Sequence, residues 1–204
     1  MRKTTWTLAV AAAVVAMVGV VGLAWAQDAK PAANPVVVMK TTMGVIKIEL
    51  WPDKAPETVK NFLALVDQKF YDGTLIHRSW TNRIVQGGQY TKEWQRKEAP
   101  AAIKNEAKSS VSNQRGTFAM ANRNEQLDSA KNQFIINLAD NSGADRKDDT
   151  DKGQGTGTCV FGKIIEGQDI ADKMGQVETE TTQGHREVPK VPIVIESLTR
   201  DAAK

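Results

Sequence analysis

The side chains that most often carry chemistry in enzymes are few in this sequence. It contains two histidines, His77 and His185, and one cysteine, Cys159. The histidines are far apart in the sequence, and neither has a partner at the spacing of metal ligands, so the residues predict no metal site. Cys159 lies in an apolar run with no basic neighbour, which predicts a buried, unreactive thiol. A single cysteine also excludes an internal disulfide, and no Ser-His-Asp motif is visible.

Residues 141–157 are rich in charge and glycine and predict a long exposed loop. The glycine run at 153–157 is only superficially similar to a phosphate-binding loop, because no helix follows it. Four aspartates suggest calcium, but three basic residues lie among them and leave a charge of only −1. We therefore expect a solvated, largely self-neutralised loop, with these charges: Asp145, Arg146, Lys147, Asp148, Asp149, Asp151 and Lys152.

Composition and charge exclude several classes of protein. The chain has 204 residues, of which 41% are hydrophobic and 25% charged, and these are values of an ordinary globular protein. The 27 basic and 24 acidic residues give a net charge of +3, which falls to +1 without Arg2 and Lys3 at the N-terminus. A nearly neutral chain has no large electrostatic surface for phosphates, so we expect no nucleic-acid partner.

The N-terminal segment, residues 1–26, predicts a secretory signal peptide. Arg2 and Lys3 precede the uncharged stretch Leu8–Leu23, and Ala24-Trp25-Ala26 fits a signal-peptidase site. The alternative is a retained membrane anchor, because the uncharged stretch from Thr4 is just long enough to cross a bilayer. Cleavage would place the mature chain in the periplasm or outside the cell, free of the membrane. Residues 27–35 predict a flexible tether.

The remaining chain predicts one domain over residues 36–200. Short apolar runs between turn signals indicate about eight strands, and a period of three to four residues indicates helices from Pro56 and over Gln168–Met174. Many short strands with few helices favour a closed barrel or a sandwich. The strands are predicted at residues 36–42, 44–51, 75–79, 83–86, 117–121, 133–138, 159–165 and 191–198.

Five sequence blocks remain after these exclusions: Phe70–Arg78, Ile84–Gly88, Arg115–Asn122, Asn132–Ile136 and Val160–Gly167. At these residues, and in the same order, the chain resembles the cyclophilin family of peptidyl-prolyl cis-trans isomerases. Ala55–Phe62 and Ile103–Ala107 match as well, so the resemblance covers nearly the whole domain. It implies a mainly β fold, a closed eight-stranded antiparallel β-barrel capped by two α-helices.

The resemblance also implies a reaction, the rotation about an X-Pro peptide bond, with no cofactor and no metal. Arg78 matches the family's catalytic arginine. In the twisted amide the prolyl nitrogen regains a lone pair, to which a guanidinium can donate a hydrogen bond. Gln86 matches the glutamine whose amide holds the substrate carbonyl near the rotating bond. These two residues are the predicted catalytic pair.

Further positions are implied to bind the peptide. Asn122 matches a position that binds through its backbone, whereas the residues matched to the groove lining are Met120, Ala121 and Gln133. The proline pocket differs from the family pattern, because Arg83-Ile84 replaces Phe-Met and Ile135 replaces a second Phe. The loss of an aromatic ring from such a pocket removes about 1–2 kcal/mol of apolar burial.

Two functions follow from these residues. Arg78 with Gln86 favours a monomeric peptidyl-prolyl isomerase that assists the folding of exported proteins, with proline-containing peptides and unfolded exported proteins as partners. Arg83 and Ile135 favour the alternative, a catalytically weak module or chaperone that holds proline peptides on the same barrel. We expect the isomerase, because catalysis in this fold needs little beyond the arginine and a dry groove.

Overall fold

The computed structural model describes residues 33–99, 101–107, 111–123, 126–147 and 156–202. The predicted signal peptide, residues 27–32 of the predicted tether and residues 148–155 of the long loop lie outside the described residues. The last two tether residues are held against the barrel, because the Asn34 amide donates to Glu49 at 2.7 Å and the Leu50 N–H donates to the Pro35 carbonyl at 2.8 Å. No helix in the described ranges is long and apolar enough to cross a membrane.

Eight antiparallel strands close into a barrel in the order β1-β10-β3-β4-β6-β5-β7-β2. This confirms the predicted fold. The strands are β1 (Val36–Thr41), β2 (Gly44–Leu50), β3 (Thr74–Trp80), β4 (Ile84–Thr91), β5 (Thr117–Met120), β6 (Phe134–Asn137), β7 (Cys159–Glu166) and β10 (Ile193–Arg200).

Aromatic side chains fill the interior of the barrel. The ring of Phe118 lies 4.9 Å from that of Phe134 and 5.0 Å from that of Phe161, and all three are fully buried. Inward residues alternate with outward ones along each strand, since successive side chains point to opposite faces. A barrel packed in this way has no internal space for a peptide, so any ligand must bind on its outer surface.

Two helices cover the barrel. Helix α1 (Pro56–Asp67) begins with Pro56 in its first turn and buries the predicted apolar face, including Phe62, whose ring lies 5.3 Å from that of Phe118. Helix α2 (Gln168–Met174) follows Gly167, which has a φ of +85°. A Cβ at Gly167 would lie 2.3 Å from the Val45 carbonyl oxygen, so this turn requires glycine.

One element is absent from the sequence prediction, a hairpin of β8 (Thr179–Thr182) and β9 (His185–Pro189). Strand β8 is polar throughout and β9 has apolar residues only at Val188 and Pro189, so the hairpin lacks the apolar alternation on which strand prediction depends. Only the turn could have indicated the hairpin from sequence, through Gly184. Gln183 and Gly184 both have positive φ, as a two-residue hairpin turn requires. Strand β9 packs against β3, and the hairpin residues from Gly184 to Glu187 line a cavity on the outer surface of the barrel.

The described part of the long loop after β6 contains a 3₁₀ turn at Ser142–Ala144. The Asp145 carboxylate accepts hydrogen bonds from the Ser112 hydroxyl, from the Asn113 backbone N–H at 2.8 Å and from the Asn113 side-chain amide at 2.9 Å. Partial burial raises the pKa of Asp145, but the bonds from Ser112 and Asn113 outweigh it and leave the pKa lowered. Asp145 is therefore an anchor of the loop, which corrects the expectation that its charge is merely solvated.

Candidate active site

The β3–β4 hairpin places Arg78 and Gln86 side by side. They are direct partners in the register of the two strands. Side chains of such partners stand on the same face of the sheet, with Cβ atoms about 5 Å apart. Both side chains line a cavity of about 570 Å³ on the outer surface of the barrel, so the structure brings the two predicted catalytic residues together.

The Arg78 side chain is fixed at one of its nitrogens. Its Nε donates to a carboxylate oxygen of Glu187 at 2.7 Å, and its guanidinium lies 5.3 Å from the centre of the Trp80 ring. Within the described part of the chain, neither Nη atom of Arg78 has a hydrogen-bond partner. The side chain is 36% exposed, so those N–H groups are available to a ligand in the cavity.

Glu187 is a site residue that the sequence did not predict. It lies on β9, 109 positions after Arg78, and no local spacing connects the two residues. Its φ of +60° is unusual for a residue with a long side chain. Such conformations persist where the surrounding structure imposes them, and they cluster at functional sites. The hairpin thus holds the carboxylate in place at a conformational cost.

The Gln86 amide belongs to a chain of three glutamine amides. It lies 2.8 Å from the Gln133 amide, which lies 2.6 Å from that of Gln89. Gln86 lines the cavity of Arg78 and also a second, neighbouring cavity of about 370 Å³. It therefore stands where the two cavities meet and can reach a ligand that spans both.

The strand after Ala119 forms one edge of the second cavity. The Ala121 N–H donates to the Gln133 carbonyl at 2.9 Å, and the Asn122 amide donates to the Gly157 carbonyl at 2.8 Å. Among the described residues, the backbone N–H and C=O of Asn122 have no hydrogen-bond partner. Ala121, Asn122 and Gln133 all line this cavity. Asn122 offers the free backbone groups that the resemblance implies for peptide binding.

Met120 does not line the groove, which corrects its predicted role. Its side chain is 1% exposed and belongs to the barrel core. It pairs with Phe134, which also points inward. Because side chains alternate along a strand, the neighbours Ala119 and Ala121 cannot share its direction. Met120 therefore supports the strand from the inside and does not contact the ligand.

The three residues predicted to form the proline pocket line neither of the two cavities. Ile135 is half-buried and pairs with Gln86 on one side and Ala119 on the other, so it lies on the outer face beside Gln86. Ile84 is half-buried as well. Arg83 is exposed and bound elsewhere, because its Nε and Nη2 donate to the Asn141 side-chain oxygen at 3.3 and 3.2 Å. Its guanidinium also lies 4.7 Å from the centre of the Trp80 ring.

An aromatic cluster lies behind Arg78, and the sequence analysis missed it. The rings of His77 and His185 are 6.5 Å apart, although the residues are distant in the sequence. Tyr90 contacts both rings, and Trp94 stacks on His185. Burial, with a smaller effect of His185, lowers the pKa of His77 to about 4. Among the described residues, His77 Nδ1 has no hydrogen-bond partner.

The described residues contain no group of three or more His, Cys, Asp or Glu that could hold a metal ion. Cys159 is 4% exposed, and burial raises the pKa of its thiol to about 11. The prediction of a buried, unreactive thiol is confirmed. The side chains that line the first cavity include arginine and glutamine, which offer positive charge and hydrogen bonds to a ligand.

Comparison with known proteins identifies the family. Residues 36–200 match the family described as cyclophilin type peptidyl-prolyl cis-trans isomerase/CLD. The chain is 45% identical over 168 residues to a peptidyl-prolyl cis-trans isomerase of Acinetobacter baylyi, covering 81% of this chain and 85% of the relative. It is 40% identical over 163 residues to peptidyl-prolyl cis-trans isomerase B of Escherichia coli, covering 80% and 98%.

A solved structure shares the fold. The cyclophilin type peptidyl-prolyl cis-trans isomerase of Cryptosporidium parvum, crystallised in the presence of the dipeptide Ala-Pro, superposes with a TM-score of 0.65 at 21% identity. The match covers 82% of this chain and 99% of that chain. The chain belongs to the cyclophilin-type peptidyl-prolyl cis-trans isomerases. The predicted family and the predicted enzyme class are confirmed.

Proposed function

We propose that Arg78 and Gln86 catalyse the rotation about X-Pro bonds of peptides bound across the two cavities. The observation that carries this proposal is their direct pairing on β3 and β4 at one cavity wall. The barrier to rotation is about 18–20 kcal/mol, because the planar amide is stabilised by resonance. An enzyme lowers it by binding the twisted amide more tightly than either planar form.

Arg78 supplies an interaction that only the twisted amide can accept. A planar amide nitrogen shares its lone pair with the carbonyl and accepts no hydrogen bond, whereas the twisted prolyl nitrogen does. Glu187 occupies the Nε of Arg78 and leaves the two Nη groups for this bond. Because the donor is charged and already oriented, little reorganisation is needed when the transition state forms.

Replacement of Arg78 tests this role. We expect Arg78→Ala to lower kcat/KM for a proline tetrapeptide at least about tenfold, or about 1.4 kcal/mol, in an NMR exchange or protease-coupled assay. Its Tm should change little, since exposed ion pairs contribute only about 0–1 kcal/mol. Arg115→Ala is the matched control, because Arg115 forms a 2.6 Å ion pair with Asp172 and lines neither cavity. An unchanged rate in Arg78→Ala would remove the assigned role.

The altered proline pocket supports a second candidate, a module that holds proline peptides with weak catalysis. Ile84 and Ile135 offer less flat apolar surface to a pyrrolidine ring than aromatic side chains do. The two functions separate in one experiment, in which peptide binding and cis-trans exchange are measured on the same sample. Tight binding without faster exchange would favour the holding module.

We further propose that the enzyme is exported and acts as a monomer on unfolded exported proteins in the periplasm. The basis is the signal-peptide pattern of residues 1–26, with its basic start, uncharged core and Ala-Trp-Ala site. N-terminal sequencing of the mature protein should begin at Gln27, and the protein should fractionate with periplasmic contents. A chain that began at Met1 and sedimented with membranes would instead support an anchor.

A further inference from the structure

A continuous row of polar groups runs from Arg96 to the catalytic glutamine. The amides of Gln86, Gln133 and Gln89 are linked at 2.8 and 2.6 Å, as described above. With its oxygen turned to Arg96, Gln89 accepts from the Arg96 Nε at 2.7 Å and from its Nη2 at 3.1 Å. We call these four residues the amide relay. All four line the second cavity.

The backbone fixes Arg96 beside Gln89. Tyr90 and Arg96 form an isolated antiparallel bridge, and the Lys97 N–H donates to the Gln89 carbonyl at 2.9 Å. The Gln89 side chain beneath is buried, with 4% of the residue exposed. A buried amide that faced the guanidinium with its NH₂ group would place donors against donors, which is unfavourable because a buried polar group then lacks a partner.

The relay therefore has a direction. The oxygen and nitrogen of an amide have almost the same shape, so the same atomic positions accommodate hydrogen bonds that run either way. Arginine has donors only, so the Gln89 oxygen must face Arg96. The Gln89 NH₂ then faces Gln133, so the Gln133 oxygen must accept the hydrogen bond. As placed, Gln86 Nε2 donates to Gln133 Oε1, so the amides of Gln133 and Gln86 must turn over together with that of Gln89. The Gln133 NH₂ then donates to the Gln86 oxygen.

The direction decides what Gln86 presents to a peptide. With its oxygen engaged by Gln133, the Gln86 NH₂ group is the half of the amide that is turned away from the relay. A substrate carbonyl is an acceptor, so it binds this NH₂ group. If the relay ran in the opposite direction, the Gln86 NH₂ would donate to Gln133. The Gln86 oxygen would then face the carbonyl oxygen of the substrate, and neither could donate a hydrogen bond.

We propose that Arg96 is a positioning residue that sets the polarity of the amide relay, so that Gln86 offers a hydrogen-bond donor to the substrate. The inference rests on the proposed function, since it assumes that Gln86 holds a peptide carbonyl. Arg96 acts through Gln89 and Gln133, and it needs no contact with the atoms of the rotating bond.

Gln89→Glu reverses the relay with almost no change of shape. A carboxylate has acceptors only, so Glu at this position accepts from Arg96 on one side and from the Gln133 NH₂ on the other. Gln133 then turns its oxygen to Gln86, and Gln86 turns its own oxygen to the substrate. We expect kcat/KM to fall at least about fivefold, while the new ion pair with Arg96 keeps Tm at or above the wild-type value.

Two substitutions of Arg96 provide the matched test. Arg96→Lys keeps a cation with donors only and should retain most of the activity, whereas Arg96→Met leaves the relay without a fixed direction and should lower kcat/KM about two- to threefold. Lys92→Met removes a positive charge from an exposed position in the same turn and should have no effect. Rescue by lysine separates polarity from the mere packing of a long side chain.

NMR reports the direction independently of activity. The hydrogen-bond coupling should connect the Gln133 side-chain nitrogen to the Gln86 carbonyl carbon in the wild type, and the Gln86 nitrogen to the Gln133 carbon in Gln89→Glu. An active wild type with unchanged activity in Gln89→Glu, or with the same coupling in both proteins, would overturn the relay and leave the isomerase intact. An inactive wild type would instead contradict the proposed function itself.

Discussion

The two ends of the groove are built in different ways. At the catalytic end, which holds the proposed catalytic pair, Arg78 donates to Glu187 and the Gln86 amide is hydrogen-bonded to that of Gln133. At the predicted proline end, Ile84 and Ile135 are half-buried and line neither cavity, and Arg83 is bound to Asn141. Under the proposed function, the oriented groups that would distinguish the twisted from the planar amide are kept, while the pocket that would hold both forms is reduced. Apolar contact of that kind strengthens binding of every form of the substrate and contributes less to the difference between them.

The largest effect that we expect is a loss of stability at low pH, because His77, behind Arg78 at the catalytic end, is buried away from water. Burial holds His77 neutral in the folded protein down to about pH 4, whereas an unfolded histidine binds a proton below about pH 6.5. As the pH falls, His77 of the unfolded state binds its proton at a higher pH than His77 of the folded state. The free energy of unfolding is therefore highest above pH 6.5 and decreases below it. The free energy of unfolding should drop by about 2 kcal/mol by pH 5 and about 3 kcal/mol by pH 4.

Denaturant titrations of wild type and His77→Phe at pH 7, 6 and 5 measure this loss. The variant keeps an aromatic ring against Tyr90 but has no proton to bind, so its stability should fall less over that interval. The interval above pH 5 is chosen because carboxylates titrate mainly below it. Parallel pH profiles would mean that water reaches His77 and that the catalytic end is not dry.

An intermediate effect is expected at the proline end. Ile135→Phe adds a flat apolar surface beside Gln86 and should tighten the binding of an apolar proline peptide by about 1 kcal/mol, or about fivefold in Kd. Ile165→Phe is the matched control, because Ile165 is 37% exposed on β7, a strand that does not pair with the strand of Gln86. Equal affinities for wild type and Ile135→Phe would show that Ile135 does not form the proline pocket.

The smallest effect concerns Arg83. Rates for peptides with Glu or Lys before proline should differ by at most about fivefold, and high salt should remove the difference, since exposed charge pairs contribute about 0–1 kcal/mol. Because Asn141 and Trp80 hold the guanidinium, Arg83→Met should leave the ratio of the two rates unchanged. If Arg83→Met raised the rate for Lys peptides relative to the rate for Glu peptides, Arg83 would lie in the groove.

The comparison also explains what the sequence could predict. The barrel strands and helix α1 could be predicted from local periodicity. The five sequence blocks that resemble the family indicated the family itself and contain Arg78 and Gln86. Glu187 could not be found in this way, because its contact with Arg78 spans 109 positions and its strand has no apolar alternation. Met120 was misplaced because a block that matches a groove contains inward as well as outward residues. The alternation of side chains along β5 would have separated Met120 from Ala121.

The barrel can close only after its C-terminal strand has been synthesised, so we expect activity only from the complete domain. Strand β1 pairs with β10, the last strand, and the carboxylate that holds Arg78 comes from the hairpin just before it. During synthesis, a chain of which only the first hundred residues have been made possesses Arg78 but neither Glu187 nor a closed barrel. Contacts so distant in sequence form slowly and late. A protein whose work is to speed the maturation of other chains thus acquires that ability only at the end of its own.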